Sequence, residues 1–120
     1  MKRKSVLMEK VHDVVKEIFL ITLKFPQIYQ FSIGEQLRRS ILSIPLNITE
    51  GNARQSEKEK KQFLNFAYSS LKEVKYLLYF SKDINLISKE VYQNLFKKID
   101  EIGGLIYGLI KSLKSDIKYQ

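Results

Sequence analysis

Residues 56–82 read SEKEKKQFLNFAYSSLKEVKYLLYFSK, and this stretch decides the fold. It holds neither proline nor glycine, and Ser56 followed three residues later by Glu59 is the pattern in which a side-chain oxygen caps a helix start. Behind that start, Phe63, Phe66, Ala67, Ser70, Val74, Leu77 and Leu78 recur at spacings of three and four. That is the period of a helix with one buried face. The expectation is a helix over 56–82 with these residues inward.

Working outward, the same signals repeat on both sides. Upstream, Ser32 with Glu35 predicts a capped helix over 32–51, with Leu37, Ile41, Ile44 and Ile48 as its inner stripe and Gly51 near its end. Pro45 lies inside it and predicts a kink, because proline removes a backbone donor and crowds the preceding turn. Further upstream, Leu7, Val11, Val14, Val15, Ile18, Ile21 and Phe25 form the stripe of a helix over 8–25, which Pro26 stops. Downstream, a turn over Asp83 to Leu86 leads to Ser88, which caps a helix over 88–114 with Tyr92, Leu95, Ile99, Ile102, Ile106, Leu109, Ile110 and Leu113 inward. Gly103, Gly104 and Gly108 fall in this last helix, each costing ~1 kcal/mol against alanine, which close approach of a neighbouring helix would offset. Short connections make consecutive helices antiparallel neighbours. The fold class is therefore all-α, an antiparallel up-down-up-down four-helix bundle in one domain over 1–120, with residues 1–6 as a basic, flexible tail.

Composition narrows the function classes. The 120 residues include no cysteine, which excludes thiolate metal sites, disulfides and cysteine nucleophiles, and which fits a cytoplasmic protein. Glu9 and Lys10 interrupt the apolar start after Val6-Leu7-Met8, unlike a signal peptide, and no apolar run approaches the ~20 residues of a membrane span. His12 is the one histidine, and no Glu-x-x-His pair, phosphate-binding glycine loop or serine with an adjacent base occurs. The expectation is a non-enzyme with no metal, cofactor, membrane or small-molecule substrate. The formal charge of +8 favours polyanions, and the span from Arg38 to Lys82 holds nine basic residues against four acidic ones.

Two polar stripes are candidate binding surfaces. On the second helix Arg39, Ser43, Asn47, Glu50 and Arg54 step by three and four along one face. Its arginines suit phosphates, but Asn47 and Glu50 equally suit ties within the fold or between subunits. On the third helix Lys61, Tyr68, Lys72, Lys75, Tyr79 and Lys82 make a basic and aromatic strip, the pattern for neutralising phosphates and stacking unpaired bases. A solvated lysine face whose tyrosines cover the core edge is the competing account. Apolar residues are also left over. Phe19, Leu20 and Leu23 on the first helix and Leu42 and Leu46 on the second lie off the inner stripes, as does Leu105 on the fourth. The first five are expected to form the interface of a homo-oligomer.

The run from Gln36 to Gly51, QLRRSILSIPLNITEG, resembles the bacterial four-helix-bundle proteins encoded in intervening sequences of 23S rRNA genes. Phe25-Pro26, Phe31-Ser32-Ile33, Phe63-Leu64, Ala67, Ser70-Leu71 and Glu73 extend the likeness, which covers about residues 11 to 110. Tyr29 departs from the family's usual acidic residue and Ser69 from its usual glycine. The resemblance implies a ring-like homopentamer, kinship with the nucleic-acid-binding accessory proteins of diversity-generating retroelements, and no catalytic residues. Its recurring positions are Arg38, Arg39, Asn47, Glu50 and Gly51, in a structural or a binding role. The combined expectation is a basic oligomer that binds nucleic acid, structured RNA or DNA, mainly through backbone contacts from Arg38, Arg39, Arg54, Lys61, Lys72 and Lys75. An oligomeric protein-interaction scaffold is the alternative.

Overall fold

Serine side chains open three of the four helices. Ser5, Ser56 and Ser88 each accept a hydrogen bond of 3.0 Å from the backbone N–H three residues on, those of Met8, Glu59 and Val91, which satisfies a donor that helix geometry leaves without a partner. The computed structural model describes residues 5–113. It places α1 at Val6–Thr22, α2 at Ile33–Asn52, α3 at Glu57–Asp83 and α4 at Lys89–Ser112, with a 3-10 turn at Gln27–Tyr29 between α1 and α2. Residues 1–4 of the basic tail, and Lys114 at the predicted end of the last helix, lie outside the described residues. Ser32 precedes α2, but its backbone sits at φ −122°, ψ −97° and its side chain makes no capping bond, so the capping box expected there is not formed. α2 continues unbroken through Pro45. At the far end of α3, Asn85 adopts φ 66° while Leu86 N–H reaches the Ser81 carbonyl at 2.8 Å and Asn85 N–H the Lys82 carbonyl at 3.0 Å. These are the paired bonds that close a helix when one residue turns left-handed, a position asparagine tolerates.

The helices pack in a closed circuit, α1 on α2, α2 on α3, α3 on α4 and α4 on α1. Leu37, Ile41, Ile44 and Ile48 of α2 are all buried as their spacing predicts, against Val11, Val14 and Ile18 of α1 and Leu95, Ile99, Ile102 and Ile106 of α4 in one core. α3 differs by a rotation. Its buried residues are Leu64, Ala67, Leu71, Val74, Leu77, Leu78 and Ser81, whereas Phe63 and Ser70 are only half-buried and Phe66 is 47% exposed. The reason lies across the α2–α3 contact. Ser70 Oγ hydrogen-bonds Ser43 Oγ at 2.8 Å, and the Phe63 ring is taken up by Arg54, whose guanidinium lies 4.7 Å from the ring centre. Leu109 of α4 likewise stands on the outer side, 43% exposed.

The crossing from α1 to α2 is fastened by Arg38. Its guanidinium donates to Thr22 Oγ1 at 3.0 Å and to the Gln30 carbonyl at 2.8 Å, while Gln30 Nε2 donates to the carbonyls of Thr22 and Phe25 at 2.8 and 2.9 Å. The last carbonyl of α1 and that of Phe25 in the loop are thereby paired. Phe25 folds back into the core after the helix has ended at Thr22. Arg38 therefore serves this loop with the groups expected to meet phosphates.

Two stability measurements check this arrangement. In urea unfolding, Leu71→Ala costs about 2–5 kcal/mol as a buried truncation, while Phe66→Ala costs about 1 kcal/mol or less; the reverse order would restore the register read from the sequence. Arg38→Met, which keeps the stem and removes the donors, lowers stability by about 1–3 kcal/mol because the Gln30 carbonyl and the Thr22 hydroxyl lose a charged partner.

Candidate nucleic-acid interface

Most of the polar stripe on α2 is engaged within the chain. Asn47 Nδ2 donates to the Ser43 carbonyl and to Ser43 Oγ, both at 2.9 Å, and Ser43 in turn meets Ser70 of α3. Glu50 accepts from Arg54 Nη2 at 2.6 Å, one helical turn away. Gly51 is buried where a Cβ would lie 3.1 Å from Phe63 Cβ and 3.4 Å from the Lys60 carbonyl, so a side chain here would push α2 and α3 apart. Asn47, Glu50, Gly51 and Arg54 together set how closely and at what rotation these two helices meet. Arg39 is exposed on the same helix.

The rotation of α3 turns a different set of residues toward α4. Tyr68 packs with Tyr107 of α4 at 6.1 Å between ring centres, Tyr79 with Tyr92 at 6.3 Å, and Tyr92 with Phe96 at 5.7 Å. Lysines lie over these rings. Lys72 is 5.5 Å from the Tyr68 ring centre, Lys75 4.9 Å from Phe96, Lys82 4.6 Å from Tyr79 and 5.3 Å from Tyr92, and Lys111 5.6 Å from Tyr107. Such contacts at exposed sites are worth about 0.5–1 kcal/mol, enough to order an ammonium and little enough to exchange. Lys75 also holds Asp100 at 2.8 Å, and Lys82 lies 3.5 Å from Asp83. Among the described residues Lys72 and Lys111 have ring faces and no carboxylate partner. The seam between α3 and α4 is thus a row of aromatic rings overlaid by four ammonium groups.

Of the residues singled out in the sequence, the structure brings together Tyr68, Lys72, Lys75, Tyr79 and Lys82. Arg38 and Arg54 are engaged elsewhere, and Lys61 sits at the N-terminal part of α3. On the α4 half of the seam Phe96, Tyr107 and Lys111 went unread, and Tyr92, expected inward, is half-buried at the core's edge. A signal was available in the spacing of Tyr92, Phe96 and Asp100, each four residues apart, but which face of α4 they occupy depends on the pairing with α3. The leftover apolar residues divide as well. Leu20, Leu23, Leu42 and Leu46 are 60, 67, 41 and 57% exposed, whereas Phe19 is half-buried against the core and is not a free apolar surface.

Among the described residues no three His, Asp or Glu side chains are grouped to hold a metal ion, and no helix is long and apolar enough to cross a membrane. No curated protein matches the chain. Among solved structures it is similar to a protein of unknown function from the S23 ribosomal protein family of Bacteroides thetaiotaomicron, 27% identical with a TM-score of 0.82, over 89% of this chain and 96% of that one. The likeness of the Gln36–Gly51 run extends to the family as a whole, whose model matches residues 3–108. The four-helix fold, with its Asn47–Gly51 segment fitted against α3, belongs to the 23S rRNA-intervening sequence protein family.

Proposed function

We propose that this protein is a non-catalytic, basic assembly module of the cytoplasm that binds nucleic acid, structured RNA or DNA, mainly through the phosphate backbone. The observation that carries this reading is the α3–α4 seam, where Lys72, Lys75, Lys82 and Lys111 are gathered on one side of a chain of net charge +8. Ring faces order these ammonium groups, and those of Lys72 and Lys111, which have no carboxylate partner among the described residues, keep their charge available to phosphates. The working unit in this proposal is a homo-oligomer, five copies by family resemblance, and its support is the exposure of Leu20, Leu23, Leu42 and Leu46. Repeating a weakly charged face several times raises avidity without any new contact. A protein-interaction scaffold draws on the same leucines but leaves the gathered lysines without a use.

RNA affinity measured across a salt series is expected to fall steeply, since each phosphate neutralised releases counterions. Charge reversal at Lys72 or Lys111 reduces the salt slope by about one each, and reversal at Lys75, already paired with Asp100, has a smaller effect. Absence of binding at low salt with the assembly intact would remove the nucleic-acid reading. Sedimentation equilibrium reports the assembly separately: a multiple of 14.1 kDa is expected, reduced to one copy by Leu42→Glu with Leu46→Glu, and a 14.1 kDa native mass at micromolar concentration would overturn oligomerisation.

A further inference from the structure

Backbone neutralisation accounts for the lysines of the seam but not for its rings. Tyr79 and Tyr107 are 46 and 51% exposed, and water is an unfavourable neighbour for so much aromatic surface on one side of a basic protein. The rings form two stations. Tyr68 and Tyr107 make one, overlaid by Lys72 and Lys111. Tyr79, Tyr92 and Phe96 make the other, overlaid by Lys82 and Lys75. Eleven residues of α3 separate Tyr68 from Tyr79, about 16 Å at the rise of a helix.

We infer that the seam takes an unpaired strand, whose bases stack on the two ring stations while the overlying lysines swing onto its phosphates. This rests on the nucleic-acid reading and adds the state of the strand. A duplex keeps the faces of its bases covered by their neighbours and offers a protein only groove edges and phosphates, so it would leave the rings idle. An unpaired strand offers both a face and a phosphate at every nucleotide. The lysine and the base compete for the same ring face, and the phosphate attached to that base is what receives the displaced ammonium. Charge and stacking are thus exchanged in one step. At about 3.4 Å per nucleotide a stacked strand spans stations about 16 Å apart with about five nucleotides, and an extended one with fewer.

The test compares a short single-stranded oligonucleotide with the blunt duplex of the same sequence, using the intact protein. Wild type should prefer the single strand. The chain has seven tyrosines and no tryptophan, so its intrinsic emission is that of tyrosine and should be quenched on binding the single strand. Tyr79→Leu and Tyr107→Leu, at exposed positions where leucine maintains the helix, should each weaken single-strand binding about tenfold and leave duplex binding unchanged, with helical content and assembly mass as in wild type. Equal affinity for both forms, unaltered by the leucine variants yet lost on reversal of Lys72 and Lys111, would overturn the stacking proposal and leave the nucleic-acid reading standing. No binding of either form at low salt would overturn both.

Discussion

Everything on the outside of this bundle depends on how closely α2 meets α3. Gly51 has no room for a Cβ against Phe63 and Lys60, and a few turns away Ser43 and Ser70 share a hydrogen bond that Asn47 supports from the same helix as Ser43. A half-buried polar link of this kind is costly unless it is completed, so the pair fixes rotation as well as distance. With Ser70 and Phe63 turned toward α2, Leu64, Leu71 and Leu78 must enter the core. Tyr68, Lys75, Tyr79 and Lys82 then fall on the side of α4. The motif on α2 therefore shapes the aromatic seam without touching it.

That separation explains why conspicuous sequence features and the candidate surface are different residues. Arg38, Asn47, Glu50, Gly51 and Arg54 stand out in the chain, and in the fold they hold a loop, a helix crossing and a ring. Gly34 supports the same loop, since a Cβ there would lie 3.0 Å from the Tyr29 carbonyl and 3.3 Å from Arg38 Nη1. Side chains that satisfy backbone carbonyls or permit close approach admit few substitutes. A lysine that neutralises a phosphate can stand at several positions on a face with the same effect.

The helices were legible because their ends carry their own chemistry. Ser56 and Ser88 cap as their sequences indicate, Pro26 follows the end of α1, and the aliphatic stripe of α2 has a single reading. Register was legible only where one face alone is apolar. Residues 63–80 of α3 carry Phe, Leu, Tyr and Val on almost every side, so periodicity could not separate core from rim, and a neighbouring helix had to decide. Ser32 shows the opposite limit: the capping pair is present in the sequence, but the incoming 3-10 turn sets the backbone, and the local motif yields to it. The α4 half of the seam belongs to the same class as the α3 register, since Tyr92 and Phe96 become partners of Tyr79 and Lys75 only after two helices have been paired.

The glycines of α4 divide between the core and the seam. Three glycines within six residues weaken a helix by ~1 kcal/mol each unless something is gained by their smallness. Gly103 has its reason inside the chain, because a Cβ there would lie 3.3 Å from Leu71 Cδ2, and the core closes over it. Gly104 and Gly108 have none among the described residues, nothing of which lies within 4 Å of the Cβ each lacks. They sit one turn apart beside Leu105 and Leu109, which are 38 and 43% exposed. A lone bundle would be steadier with alanine at both positions and would lose nothing by it. Both stand on the face of Tyr107 and Lys111, three and seven residues on from Gly104, so what their smallness leaves open is the approach to that ring station, while Leu105 and Leu109 lie about 100° round the helix.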